Sequence, residues 1–309
     1  MKKLFTLLAL TIGFSMNAQV STNSTSPTGI YASAMGNGTT ASGNESTAMG
    51  YDTTASGEAS TAMGYSTTAS AQGSTAMGKQ TTASHTASTA MGQSTTASAA
   101  FTTAIGYNTT ASAAYSTAMG RYTTASGFTS TAMGWSTTAS DYSSTVIGQH
   151  NSSGSSATSA SSFSTSAPAF VIGNGTASNA KSDAFKVMFN GDATVSNDLT
   201  VSGDVVISSD ARLKSNIVSL GSTLPKLLQI DGKSYEMKGK QKIGVLAQEI
   251  KEVFPELVSE DDNEMLAVNY QGLVPVLINA LKEQQSEIDR LKKQEKRIER
   301  LEKLVANID

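Results

Sequence analysis

Between Ala41 and Ser152 the apolar and polar positions of this chain recur every fourteen residues, eight times over and without an insertion. One unit reads Ala55-Ser-Gly-Glu-Ala-Ser-Thr-Ala-Met-Gly-Tyr-Ser-Thr-Thr68, and later units begin at Ala69, Ala83, Ala97, Ala111, Ala125 and Ala139. A partial unit around Ala34-Met-Gly36 precedes them. A fixed period without drift makes each unit one coil of a stacked solenoid, because a slip in one coil would misalign its neighbours. Fourteen residues are too few for a helical hairpin and enough for two short strands and two tight turns.

Within a unit, Ser-Thr-Ala-Met-Gly reads as one strand and Thr-Thr-Ala-Ser as the other. Alternation puts Thr61 and Met63 on one face and Ala62 and Gly64 on the opposite one. Stacking turns each position into a column. The column Met35, Met49, Met63, Met77, Met91, Ile105, Met119, Met133, Ile147 is expected to form a continuous dry seam, the core of the roll. The alanine column admits only small side chains, as where sheets or subunits approach closely. The pairs after each Met/Ile-Gly, Tyr-Asp, Tyr-Ser, Lys-Gln, Gln-Ser, Tyr-Asn, Arg-Tyr, Trp-Ser and Gln-His, vary freely and are expected to face solvent or a ligand.

The pattern changes after the repeats. Residues 151–168 are almost wholly Ser, Ala and Thr and read either as a flexible linker or as atypical coils. Ala169-Phe-Val-Ile-Gly173 reopens a strand, and Phe185–Val195 contains Asn190-Gly191, a hairpin-turn signal. Leu199–Ile207 continues the alternation, so a β-rich stalk is expected over residues 169–207. In the last stretch Leu281, Ile288, Leu291, Ile298, Leu301, Val305 and Ile308 are spaced as a coiled-coil seam with one phase shift.

Charge follows the same division. Residues 20–207 hold four Lys/Arg and eight Asp/Glu, and residues 208–309 hold sixteen and seventeen. The net charge of -3 provides no basic patch, which argues against nucleic-acid binding. With no cysteine there are no disulfides and no thiolate chemistry. His85 and His150 stand at variable repeat positions, where exposed surface is expected, so neither a metal site nor a cofactor is expected. Asp261-Asp-Asn-Glu264 fits no calcium loop and reads as a solvated turn, and Gln248 and Glu249 lie in an amphipathic helix where packing or exposure explains them. Met1-Lys-Lys, the apolar Leu4–Phe14 and the small Ala18 have the three parts of a secretory signal, which places the chain outside the cell. The apolar run is too short to span a bilayer comfortably.

The Ser-x-Ala-x-Gly repeat, as in Ser46-Thr-Ala-Met-Gly50 and Ser144-Thr-Val-Ile-Gly148, resembles the head of YadA-like trimeric autotransporter adhesins over about residues 30–152. The resemblance implies a left-handed parallel β-roll built by three chains, on the surface of a Gram-negative bacterium. Members of that family end in an outer-membrane β-barrel, whereas Leu301–Asp309 reads here as a charged helix.

A second resemblance covers the last hundred residues. Ser209-Asp-Ala-Arg-Leu-Lys-Ser-Asn-Ile217, then Ile243–Pro255, then Val268–Leu277 and a charged helix closely resemble, in order, the intramolecular chaperone of phage endosialidase tailspikes, a self-cleaving serine peptidase domain. It implies Ser209 as nucleophile, Lys214 as general base, Asp210 and Arg212 as loop-ordering residues, and cleavage of the Ser208–Ser209 bond. A lysine can serve as base once burial favours its neutral amine.

The expected organisation is a signal over 1–18, a β-roll head over 19–152, a Ser-rich linker and β-rich stalk over 153–207, and an α+β chaperone with a coiled coil over 208–309. The expected function is a secreted or surface homotrimeric fibre, adhesin-like, released from its chaperone by single-turnover autoproteolysis. Its partners are other copies of the chain and a host, glycan or other surface ligand. A prophage tail fibre, a glycan-degrading tailspike and a chaperone-tailed protein that does not cleave are the alternatives; the few carboxylates of the head argue against the glycosidase.

Overall fold

The computed structural model describes residues 24–261 and 264–307. The expected signal over 1–18 and Ile308 of the helical seam lie outside them. Two compact units meet between Asp204 and Val205.

The first unit is a β-solenoid. Each fourteen-residue repeat forms a five-residue strand such as Thr61–Tyr65 and a two-residue strand such as Thr68–Ala69. Both pair in parallel with the same positions of the next coil, Ala62 with Ala76, Met63 with Met77 and Ala69 with Ala83. The two sheets are therefore ladders of like residues. Each coil also bends at two left-handed positions seven residues apart, for example Ala59 at φ 52° and Ser66 at φ 51°. Such a bend costs a non-glycine residue roughly 1–2 kcal/mol, and the stacked ladder holds it in place.

The core is made of alanine and not of methionine. Ala48, Ala62, Ala76 and their counterparts on the long strands, with Ala55, Ala69 and Ala83 on the short ones, are completely buried. The expected Met/Ile seam lies on the outer face, half-buried in most coils and 38% and 37% exposed at Met119 and Met133. Alternation separated Ala62 from Thr61 and Met63 correctly but failed at Gly64, expected on the alanine face and exposed at φ +125°. Size decides which face is inner, because a coil two short strands wide holds short side chains and excludes a thioether. Only at the last rungs does the interior widen to take Val146 and Val171.

Two further columns close the coil. Gly92 has φ +119°, and a Cβ there would sit 2.0 Å from the carbonyl oxygen of Gly106 in the next coil. The same approach recurs at Gly50, Gly64, Gly78, Gly106 and Gly120. Inside, the Oγ1 atoms of Thr39, Thr53, Thr67, Thr81, Thr95, Thr109, Thr123 and Thr137 are buried without a hydrogen-bond partner.

The Ser-rich segment after the repeats packs as a cap on the solenoid. Asn151 accepts from the Thr138 N–H at 2.8 Å and donates to the Thr138 carbonyl at 2.9 Å, replacing the next rung of the short-strand ladder. Buried Asp141 accepts the N–H groups of Thr158 and Ser159 through Oδ1. Pro168–Asn174 then adds in parallel to Thr145–Gln149, and the Asp183–Met188 and Ala193–Val195 strands follow as an antiparallel hairpin around Asn190-Gly191. The expected β-stalk stops there: Ser196 still donates its N–H to the Ala184 carbonyl, but no further strand forms up to residue 207, and Leu199, Val201, Val205, Val206 and Ile207 are exposed. His150 also departs from expectation, being buried against the Trp135 ring at 5.2 Å.

The second unit is α+β. Helix α1 (Leu224–Leu227), the hairpin Lys233–Met237/Lys240–Gly244, helix α2 (Ala247–Val253), the hairpin Val258–Glu260/Leu266–Val268 and helix α3 (Leu273–Val305) follow in order. Its core is small, with Ile250, Val253, Phe254 and Val276 buried and Leu227, Val245, Val268 and Leu273 packed on them. Val276 and Ala280 bury one face of α3, while Leu281, Ile288, Leu291, Ile298, Leu301 and Val305 of the expected seam are exposed. Among the described residues no helix is long and apolar enough to cross a membrane.

Glu283 ties α3 to the start of α1. Its carboxylate accepts the N–H groups of Thr223 and Leu224 and the Ser222 hydroxyl, the last at 2.7 Å. The Thr223 hydroxyl donates onward to the Val276 carbonyl at 3.0 Å.

Three outcomes follow from this packing. Gly92→Ala is expected to destabilise the head by about 3 kcal/mol or more through backbone strain and the clash with Gly106, read as a lower head melting temperature by circular dichroism. Thr95→Val keeps the shape, removes an unpaired hydroxyl and is expected to stabilise the head by about 1 kcal/mol in the same melt. The Thr223 N–H, then the Ser222 hydroxyl, holds the Glu283 carboxyl below the ordinary glutamate value of 4.5. Its contribution is therefore whole above that pH and is lost as pH falls through the lower folded value. Melting of the second unit should show this acid loss in the native chain, and Glu283→Gln should flatten it.

Candidate active site around Ser209

The segment 208–214 is a short loop whose residues organise one another. Asp210 caps the single 3-10 turn Ala211–Leu213, its Oδ1 accepting the Arg212 N–H at 2.9 Å. The Arg212 guanidinium closes back on the same carboxylate, Nε at 3.1 Å from Oδ1 and Nη2 at 2.7 Å from Oδ2. This forked pair is exposed at the surface, so it orders the loop more than it stabilises the fold. The hydrogen bonds from Arg212 also hold the Asp210 carboxyl below its ordinary range.

The turn returns the chain far enough for Lys214 to reach Ser209. The Lys214 N–H donates to the Ala211 carbonyl at 3.1 Å, and its Nζ donates to Ser209 Oγ at 2.7 Å. All four residues expected in the site therefore meet within one loop, in two pairs: Ser209 with Lys214 and Asp210 with Arg212. The Ser208–Ser209 bond is exposed beside them.

The surroundings are apolar and open. Val206 and Val218 are 88% and 83% exposed, and Ile207, Leu213 and Ile217 are exposed as well. Among the described residues nothing covers Lys214, which is exposed. As placed, the amine donates to the hydroxyl, whereas a general base must accept its proton.

The remaining polar candidates have structural partners. Glu249 is paired with Lys233 at 3.2 Å and accepts the Asp231 N–H, and Asp261 Oδ1 accepts the Met265 N–H. Glu283, by contrast, is absent from the sequence reading. It looks like any other charge on a Lys/Glu-rich helix, and only its spacing from Val276 and Ala280, on their face of α3, could have flagged it.

Comparison with known families finds one match in each compact unit. No curated protein matches it. The model described as the YadA head domain repeat matches residues 28–53, 55–81, 69–95, 83–109, 97–123 and 125–151, overlapping matches starting one fourteen-residue coil apart. The model described as the chaperone of endosialidase matches residues 209–259, beginning at the serine that Lys214 contacts. The chain thus carries YadA-type head repeats followed by an endosialidase-type chaperone segment.

Proposed function

We propose that three copies of this chain form a surface or extracellular fibre, adhesin-like, whose C-terminal unit brings the chains into register and then cuts itself free. Export through Met1–Ala18 and a Gram-negative cell surface belong to the same reading, as does the organisation into a head over 19–152, a connecting segment over 153–207 and a chaperone over 208–309. The two family matches support a trimeric fibre of adhesin or tail-fibre type. What a single chain leaves uncovered fits three-fold assembly: the Met/Ile column on the outer face of the long-strand sheet, the unpaired Leu199–Ile207 segment and the apolar stripe of α3.

The observation that carries self-cleavage is the 2.7 Å contact of Lys214 Nζ with Ser209 Oγ next to the Ser208–Ser209 bond. In the reaction the neutral Lys214 amine takes the Ser209 hydroxyl proton and Oγ adds to the Ser208 carbonyl carbon. The C–N bond breaks, and the proton passes from Lys214 to the released Ser209 amine. Water then hydrolyses the Ser208 ester, which leaves a carboxylate on residue 208 and restores the hydroxyl. Neighbouring chains lying over Val206, Leu213, Ile217 and Val218 would remove water from Lys214 and favour its neutral form. Cleavage is thereby tied to assembly, and cutting after assembly uncouples chaperone from fibre and leaves the fibre kinetically trapped.

Expression of the full chain should yield a fragment with the mass of residues 209–309, with trimers detected by light scattering. Ser209→Ala and Lys214→Gln should stay intact on denaturing gels yet trimerise. A wild-type trimer that remains intact would overturn the peptidase role, and a wild-type monomer would overturn the fibre.

A further inference from the structure

The turn that ends the long strands in the later coils carries chemistry that neither stacking nor cleavage uses. Tyr107, Arg121 and Trp135 end three successive strands in register, Tyr107 beside Arg121 and Arg121 beside Trp135. Their side chains therefore rise from one column at the ladder spacing of about 4.8 Å. Tyr122, the next residue, is left-handed at φ 56° and meets the Tyr107 ring edge-on at 5.4 Å. Between them the Arg121 guanidinium lies 5.1 Å from the Tyr122 ring centre, 5.7 Å from that of Trp135 and 5.8 Å from that of Tyr107.

Among the described residues no carboxylate pairs with Arg121. Within the two turn columns the nearest acid is Asp52, five coils earlier and so roughly 24 Å away at the ladder spacing. Asp183, near the end of the solenoid, is taken up by the N–H groups of Ser152 and Ser153. The three rings are 40–45% exposed, and amide side chains, Gln93 and Asn108, continue the two columns toward the N-terminus. A buried protein interface favours a continuous apolar face with neutralised charges. Here three ring faces surround one unpaired guanidinium, with amides beyond them, and the planar fork of the guanidinium matches a carboxylate.

We propose that this turn binds an acidic glycan, with a sugar carboxylate on Arg121 and pyranose C–H faces against Trp135 and Tyr107. The site goes beyond the fibre reading and lies within one chain, so it does not depend on cleavage. The in-register ladder presents its groups along one line, as an extended sugar chain does. Two sources share the chemistry, a uronate polymer and a sialylated glycan.

Full-length protein should be titrated calorimetrically with hexamannuronate, with the same oligosaccharide after carboxyl reduction, with sialyllactose and with lactose. The expected result is binding of at least one acidic sugar, about tenfold or more tighter than its neutral counterpart, as one charge-assisted pair provides. The preferred acidic sugar identifies the source. Arg121→Gln should abolish the acidic preference, Trp135→Ala should weaken acidic and neutral sugars alike, and Phe101→Ala, at the opposite turn, should change neither. No acidic preference in the wild type, or a preference kept by a folded Arg121→Gln, would overturn the proposal. Light scattering on the same samples separates the two readings: a monomer that still prefers acidic sugars fails only the fibre, and a trimer without preference fails only the glycan site.

Discussion

The width of one coil governs this molecule. Fourteen residues folded into a five-residue and a two-residue strand leave an interior that takes the methyl groups of Ala48, Ala62 and Ala76 and the short side chains of residues such as Ser60 and Thr67. Hydrophobic stabilisation scales with the apolar area removed from water, so an alanine core contributes little per coil and most cohesion falls to the backbone ladders. Long side chains are forced outward. Met63, Tyr65 and their columns are on the surface because the fold has no other place for them.

The same narrowness creates the assembly problem. Each rung faces a nearly identical rung, so chains displaced by one coil would match almost as well as chains in register. Parallel pairing between chains is also non-local and slow to nucleate. Only the ends of the solenoid are distinctive. Asn151 and buried Asp141 terminate the ladders with contacts that no internal coil can make, which marks one end of each chain. Under the proposed function, the unit that follows in the chain, with its own α+β core and a long apolar-striped helix, would supply the register the repeats lack.

The sequence made the coil, its period and its two alternating faces legible, because a fourteen-residue repeat leaves few other foldings. It did not disclose which face was inner. Methionine is the more apolar residue, so hydrophobicity favoured the Met column, and the outcome turned on volume, which only the closed coil imposes. The buried His150 and the cap formed by residues 152–167 escaped for a related reason: both depend on where the repeat stops. The site divided in the same way. Ser209, Asp210, Arg212 and Lys214 are close in sequence and were legible as a motif, whereas the Glu283 contact spans about sixty residues and needs the folded α3 to exist.

The exposed Lys214 and the exposed Met column are two effects of one condition: a single chain cannot bury what it carries. In the head, the unburied residues are a surface on which copies can meet. In the tail, the unburied residue is Lys214, held against Ser209 and exposed. A lysine needs a dry environment to act as a base, and under the proposed mechanism other chains would supply it. The loop would then have its geometry before assembly and gain its chemistry only afterwards. Such an ordering would protect the fibre, since a chain that cut early would lose its register before the narrow, repetitive solenoid could find its partners.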